Sequence, residues 1–427
     1  MLNGIIKRNF SIKIFNKVNL DNIYQAHNKM KNIVINTPLE FNSRLSQKYN
    51  SNIFIKREDL QTVRSFKIRG AFNKINNLSP KQKEKGIVCA SAGNHAQGVA
   101  LSSKSLDITA DIFIPETTPK QKITRITNFL NSKSNIHLIG NNFNDCLEYS
   151  LQFTKKKDKS FIHPYNDVDT IIGQATIAKE IYENIDPDFI VGTIGGGGLM
   201  SGCSLYSRFI KPSCKLYGIE PSTCPSMLKS IEKGELIELD INDNFVDGAT
   251  VSKVGDITFE VCRDNLDKIY EVSIGKLCET MLELYQDDGI IAEPAGALPI
   301  TSLDNIKREI EGKNVVCILS GGNNDLTRYP EVIERFLTYK KLKHYYIIQF
   351  GQKPGELRKF INNVLGPDDD ITRFEYIKKT NKNFGNVLIG IELKKSEDIR
   401  LISENLEKNN FNYTKIDEED LIYSYVV

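Results

Sequence analysis

Four short segments hold the residue types that could do chemistry together. Ser65-Phe66-Lys67-Ile68-Arg69-Gly70-Ala71 places a lysine at the start of a helical stretch. The field at a helix N-terminus disfavours an ammonium, and burial lowers its pKa further, which favours the neutral amine that Schiff-base chemistry needs. Taken alone, a Ser-x-Lys is common and most often marks a solvated lysine. Ser91-Ala92-Gly93-Asn94-His95-Ala96-Gln97-Gly98 follows an apolar run, and a helix opening at Asn94 would present free backbone N–H groups to an anion. The bland reading of that turn is a tight strand–helix connection with a buried His95. Gly195-Gly196-Gly197-Gly198-Leu199 follows a second apolar run. Four consecutive glycines cost conformational entropy, and they make sense where the backbone must wrap a phosphate at a helix N-terminus. No Gly-Lys-Ser/Thr follows and the first strand carries no Gly-x-Gly-x-x-Gly, so one phosphate monoester suits this cup better than a nucleotide's phosphates. Ser320-Gly321-Gly322-Asn323-Asn324 closes a third apolar run and could present a hydroxyl into a cleft, although Ser320 taken alone favours an ordinary cap with glycine for the turn.

Positioning these turns requires strands that end at them. Apolar runs at 53–56, 86–90, 111–114, 136–139, 189–192, 215–219 and 314–319 alternate with amphipathic stretches at 119–131, 170–184 and 276–287. Near-continuous apolar strands are what a parallel sheet covered on both faces needs. The alternation predicts an α/β region over residues 1–340, built as two lobes with a cleft between them, the smaller lobe at roughly 60–165. Beyond Lys343 the pattern changes. Strands at 344–350, 371–378, 386–393 and 421–427, with helices at 356–364 and 397–408, give the order β-α-β-β-α-β of a ferredoxin-like domain over 343–427.

A Schiff-base lysine, a glycine phosphate cup and two turns able to contact a ring are the parts that a pyridoxal 5′-phosphate site needs. The chain resembles the fold-type-II pyridoxal phosphate enzymes, with their tryptophan synthase β-like fold. Among these it is most similar to the threonine dehydratase (threonine ammonia-lyase) family of isoleucine biosynthesis. Lys-Arg-Glu-Asp-Leu-Gln at 56–61, the segments at 65–71, 91–98, 195–199 and 320–324, and Glu-Pro-Ala-Gly-Ala at 293–297 carry the resemblance, which runs from about Ile23 to the end. It implies that Lys67 anchors the cofactor covalently, that Asn94 bonds its 3′-oxygen, and that Gly195, Gly196, Gly197, Gly198 and Leu199 hold its phosphate. It implies that Ser320 faces the pyridine nitrogen. Ser65 and the turn Ser91, Ala92, Gly93, Asn94 and His95 become candidates for the substrate's hydroxyl and carboxylate, while Glu293 has no assigned role. The implied reaction converts L-threonine to 2-oxobutanoate and ammonia. The implied C-terminal domain is a single ACT-like sensor of isoleucine or valine, with Pro354-Gly355-Glu356-Leu357 near the effector, and the implied assembly is a homotetramer. Gln352-Lys353 departs from the acidic residue common before Pro-Gly in ACT domains. A serine/threonine catabolic dehydratase or a serine racemase-like enzyme uses the same constellation, and one methyl group is worth only about 1–3 kcal/mol in a pocket. A non-catalytic amino-acid-binding module is the alternative of another class.

Composition excludes other classes. In 427 residues, 56 Lys and Arg face 54 Asp and Glu, a net charge of +2 that lacks the basic excess of a nucleic-acid binder. No apolar run reaches the length of a membrane span. Eight cysteines without C-x-x-C spacing, and five histidines without H-E-x-x-H, read as buried free thiols of a reducing compartment and no metal site. Lys7, Arg8, Lys13 and Lys17 precede the first acidic residue, Asp21. That composition suits the start of a cytoplasmic enzyme or, alternatively, a presequence for the mitochondrial matrix.

Overall fold

The computed structural model describes residues 18–377, 383–417, 420 and 422–426, so the basic positions Lys7, Arg8, Lys13 and Lys17 lie outside the described residues. The chain divides into two compact units, Met1–Asn324 and Asp325–Val427. In the first unit the strands are, in chain order, β1 (Leu39–Phe41), β2 (Asn52–Arg57), β3 (Ile87–Ala90), β4 (Ala110–Ile114), β5 (Asn135–Leu138), β6 (Ser160–Phe161), β7 (Phe189–Thr193), β8 (Lys215–Pro221), β9 (Lys268–Val272) and β10 (Asn314–Leu319). They form a six-stranded sheet in the order β1-β2-β10-β7-β8-β9 and a four-stranded sheet in the order β5-β4-β3-β6. Every pairing is parallel except that of β1 with β2. The apolar runs read from the sequence all become strands. β3, β4 and β7 are buried at every position, as strands covered on both faces must be. The short or edge strands β1, β6 and β9 carry no such run and were not expected.

Two helices of the first unit pack backbone to backbone. Lys67–Asn76 packs along Val168–Asn184 through Gly70 and Gly173. A Cβ on Gly173 would stand 2.5 Å from the Arg69 carbonyl oxygen, so only glycine lets these backbones touch. Asp167 caps the longer helix by accepting the Thr170 N–H at 3.1 Å. The larger core gathers Ile68, Ile171, Ile177, Leu205, Val316 and Ile318. A second core, with Ile75, Ile87, Val99 and Ile112, fills the smaller lobe.

The second unit takes in the helix Tyr329–Tyr339, ahead of the stretch from 343 that the sequence pattern marked as the small domain. Its strands β11 (Lys343–Gly351), β12 (Asp370–Tyr376), β13 (Phe384–Glu392) and β14 (Asn412–Ile416) form an antiparallel sheet in the order β12-β13-β11-β14. With helices Glu356–Asn363 and Ile399–Lys408 this is the ferredoxin-like arrangement. The last strand is not at 421–427. Residues Asn412–Ile416 pair with β11 instead, and Tyr423–Val426 form a helical turn. The aromatic and β-branched run at the end of the chain imitates a strand, but the edge of β11 is already taken by Asn412–Ile416.

Candidate active site

Lys67 is the first residue of its helix, and the segment before it is stitched to the turn after β10. Ser65 and Gly321 form an antiparallel bridge, Phe66 N–H donates to the Ser320 carbonyl at 3.0 Å, and Gly322 N–H donates to the Arg64 carbonyl at 2.9 Å. On the other side a Cβ on Gly98 would lie 3.2 Å from the Lys67 carbonyl, so the helix Asn94–Ser105 abuts the same backbone. Lys67 Nζ donates to the Pro164 carbonyl at 3.2 Å. Burial pulls the amine down to about 8, against the attraction of the Glu293 carboxylate. Roughly a tenth of it is then neutral at pH 7, compared with well under a thousandth for a solvated lysine.

Two residues further along the helix, Arg69 is fully buried in a set of charges. It meets Glu58 at 2.7 and 2.8 Å and Glu180 at 2.7 and 2.8 Å. Lys56 Nζ lies 2.7 Å from Glu180 and 2.6 Å from the Thr37 carbonyl. Two cations face two carboxylates, so the set is neutral although none of its members touches solvent. Lys56 and Glu58 lie within a motif singled out above, whereas Glu180 carries no local signal and was missed.

The turn Ser91–His95 is pinned from several directions. Ser91 N–H donates to the Phe113 carbonyl at 3.0 Å, and Ser91 Oγ accepts the Gly93 N–H at 3.2 Å. Ala92 lies between them, half-buried. Asn94 Nδ2 donates to both oxygens of Glu293, at 2.8 and 3.0 Å, and Asn94 Oδ1 accepts from Asn323 Nδ2 at 2.7 Å. Burial raises the Glu293 carboxyl to about 7, with the Asn94 donor opposing. His95 is buried, and desolvation followed by the nearby Lys67 charge takes it to about 3. The ring is therefore neutral and its Nε2 donates to the Ile162 carbonyl at 2.8 Å. Its side chain is buried and bonded inside the fold, as the bland reading of this turn held.

The glycine cup is shaped by residues that sequence reasoning did not single out. Gly197 has φ +90° and opens the helix Gly198–Ile210. A side chain on Gly196 would collide with the Tyr165 ring, and one on Gly198 would come within 2.8 Å of Tyr165 Cβ. A side chain on Gly195 would meet Ala249 Cα at 3.0 Å. Thr258 Oγ1 donates to the Gly196 carbonyl at 2.6 Å, and Leu199 is buried beneath. Tyr165 is set by His163, whose Nδ1 accepts the N–H groups of Tyr165 and Asn166 at 3.2 and 2.8 Å. Tyr165 and His163 come from a loop and Thr258 from the first turn of the helix Asp256–Asn265, and sequence reasoning marked none of the three.

Lys67 thus reaches the cup through Pro164 and Tyr165, Ser65 bridges to Gly321 just after β10 while Phe66 bonds the Ser320 carbonyl, and Asn94 joins the β10 turn through Asn323. Ser320 is 2% exposed. Ser65 Oγ is buried with no hydrogen-bond partner among the described residues. An unspent buried hydroxyl, an amine of lowered pKa and a backbone kept bare of side chains suit a phosphorylated aldehyde, so the residues present fit pyridoxal phosphate.

Comparison with known proteins agrees with this. Residues 30–321 match the family described as pyridoxal-phosphate dependent enzyme, and residues 334–426 match the C-terminal regulatory domain of threonine dehydratase. The chain is 48% identical over 417 residues to the L-threonine dehydratase biosynthetic IlvA of Staphylococcus epidermidis, covering 96% of this chain and 99% of that protein. Among solved structures, the processed form of threonine deaminase isoform 2 from Solanum lycopersicum superposes with a TM-score of 0.70 at 34% identity, over 74% of this chain and 94% of that one. Maize serine racemase gives a TM-score of 0.70 at 30% identity, over 75% of this chain and 98% of that one. With one family match spanning more than half of its residues and a relative this similar along nearly its whole length, the chain belongs to the pyridoxal-phosphate-dependent enzymes and, within them, to the biosynthetic threonine dehydratases.

Proposed function

We propose that the chain deaminates L-threonine to 2-oxobutanoate and ammonia, the first step of isoleucine biosynthesis, using pyridoxal 5′-phosphate held at Lys67. The observation that carries this reading is the Lys67 amine, lowered to about 8 and tied at 3.2 Å to the Pro164 carbonyl beside the bare glycine backbone. Bound there, the cofactor supplies an aldehyde that takes up amines and a ring that stabilises negative charge at the carbon next to the amine. Lys67 holds it and, as a free amine, takes the proton from the substrate's Cα. The N–H groups of Gly195, Gly196, Gly197, Gly198 and Leu199 hold the phosphate, and the Asn94 amide meets the 3′-oxygen. Ser65 Oγ and the N–H groups of Ser91–His95 bind the substrate's hydroxyl and carboxylate. Ser320 faces the pyridine nitrogen with a neutral hydroxyl, which cannot keep a proton there as a carboxylate would. With Ser320 rather than a carboxylate at that position, loss of the β-hydroxyl would be favoured over amine exchange. The water lost in elimination is regained when ammonia is released, so the net change is threonine to keto acid plus ammonia.

A keto-acid assay with L-threonine against L-serine, joined to borohydride trapping and peptide mapping, tests this. Turnover of threonine with a trapped adduct on Lys67 is expected, and the absence of that adduct overturns the assignment. The second unit is proposed to sense isoleucine at the turn Pro354-Gly355-Glu356-Leu357, where Gly355 (φ +95°) caps the helix Glu356–Asn363. Its match to a regulatory-domain family supports this. Removing residues 325–427 should leave turnover and abolish isoleucine inhibition, and inhibition that survives the deletion rules the sensor out. Among the described residues no helix is long and apolar enough to cross a membrane. A cytoplasmic homotetramer is proposed, and the bacterial source of the similar dehydratases supports the compartment. Light scattering of the purified chain tests the assembly.

A further inference from the structure

The side chain of Asn94 is caught between two residues that lie 199 and 229 positions further along the chain. Its Nδ2 faces a carboxylate and its Oδ1 faces an amide donor. Asn323 is itself fixed, because its Nδ2 also donates to the Val63 carbonyl at 2.8 Å. Turning the Asn94 amide over would set Oδ1 against the carboxylate and Nδ2 against a donor, so the two neighbours allow one orientation. The two N–H bonds of an amide diverge by about 120°, far more than the oxygens of one carboxylate subtend at 2.8–3.0 Å. One N–H therefore serves Glu293 and the other stays available.

Glu293 is an unusual group to spend on this. It is 7% exposed, and among the described residues it has no ion-pair partner within 4.0 Å. Its backbone N–H donates to the Gly321 carbonyl at 3.1 Å, and a side chain on Gly321 would collide with its carboxylate. The fold has thus kept room on the β10 turn for a buried acid, whose carboxylate is held by the Asn94 amide and the Asn323 backbone N–H, the two residues that flank it in the site.

We infer that Glu293 is a positioning residue, which with Asn323 orients the Asn94 amide so that its remaining N–H donates to the cofactor's ring oxygen. This rests on the reading of the site as a pyridoxal phosphate site. A double-mutant cycle on the full-length holoenzyme tests it, read by the visible absorbance of the bound cofactor and by turnover. Glu293→Ala should lower turnover about tenfold and move the absorbance band in the direction that Asn94→Ala moves it. Glu293→Gln keeps a carbonyl for the Asn94 N–H and should lose less. The double variant Glu293→Ala/Asn94→Ala should be no worse than Asn94→Ala alone. Losses that multiply, or an unmoved band in Glu293→Ala, overturn the inference. If the alanine variant does not fold, the same cycle is run with Glu293→Gln, and a loss that persists in full in the Asn94→Ala background overturns it equally. Borohydride trapping separates the two levels. Without a Lys67 adduct in the unaltered enzyme, the cofactor reading fails and this inference with it. With the adduct present and the losses independent, only the role of Glu293 fails.

Discussion

Replacing Lys67 with methionine should abolish turnover and yet stabilise the cofactor-free protein. The amine binds its proton at about 8 in the folded chain against 10.5 when solvated, because burial disfavours the ammonium. Folding below pH 8 therefore carries a penalty of about 3 kcal/mol that an uncharged side chain of similar volume avoids. The residue keeps some exposure, which screens part of that penalty, and methionine gives up the hydrogen bond to Pro164, worth about 1 kcal/mol. A net gain of about 1–2 kcal/mol at pH 7 remains. The sign with pH follows from proton binding. Between 8 and 10.5 the unfolded chain holds this proton and the folded chain does not, so the stability of the unaltered protein climbs through that window. The advantage of Lys67→Met should shrink over the same range and give way, by about pH 10.5, to a deficit of about 1 kcal/mol from the lost hydrogen bond to Pro164. Urea unfolding of both cofactor-free proteins at several pH values measures it. A variant less stable at pH 7, or a difference that does not change with pH, would refute the claim that this lysine is held against its charge.

Glu180→Ala leaves Arg69 and Lys56 facing the single carboxylate of Glu58, one positive charge uncompensated in a dry interior, and a loss of about 3–5 kcal/mol is expected in denaturant unfolding. A loss under about 1 kcal/mol would mean that water or another acid takes its place. Gly197→Ala puts a Cβ at φ +90° and 2.8 Å from Met227 Cε, and fluorescence titration should show cofactor affinity reduced about tenfold or more. Unchanged affinity would show that this backbone does not hold the phosphate. Ser320→Asp should raise the share of amine-exchange side products in a product analysis with threonine, and an unchanged product ratio counts against the role given to that hydroxyl.

The parts of the site that could be read in the chain are those whose chemistry is written locally. Glycine clusters after apolar runs marked the ends of β3, β7 and β10, because bare backbone at the end of a buried strand has few other uses. Lys67 was legible because it sits between a serine and a helical pattern. Glu180, Tyr165 and Thr258 were not, since each acts on a partner 31 to 111 positions away and looks ordinary among its neighbours. Glu293 was visible as part of a motif, but its partnership with Asn94 exists only once β10 is in place. The misplaced final strand has a different origin. Strand propensity favoured residues 421–427 and hydrogen-bonding opportunity favoured 412–416, and the pairing with β11 decided it.

β10 lies between β2 and β7, joining residues 52–57 to residues 189–193 across the middle of the larger sheet. During synthesis those two strands have no common neighbour until position 319 has left the ribosome. A nascent chain can hold the lysine and the glycine cup for many seconds without having a finished vitamin B6 pocket. The catalytic half is then completed almost at a stroke, while the remaining 103 residues of the second unit are still to be translated. At about 5–20 residues per second, that leaves roughly 5–20 seconds in which a newborn enzyme could be competent before it can be told to stop.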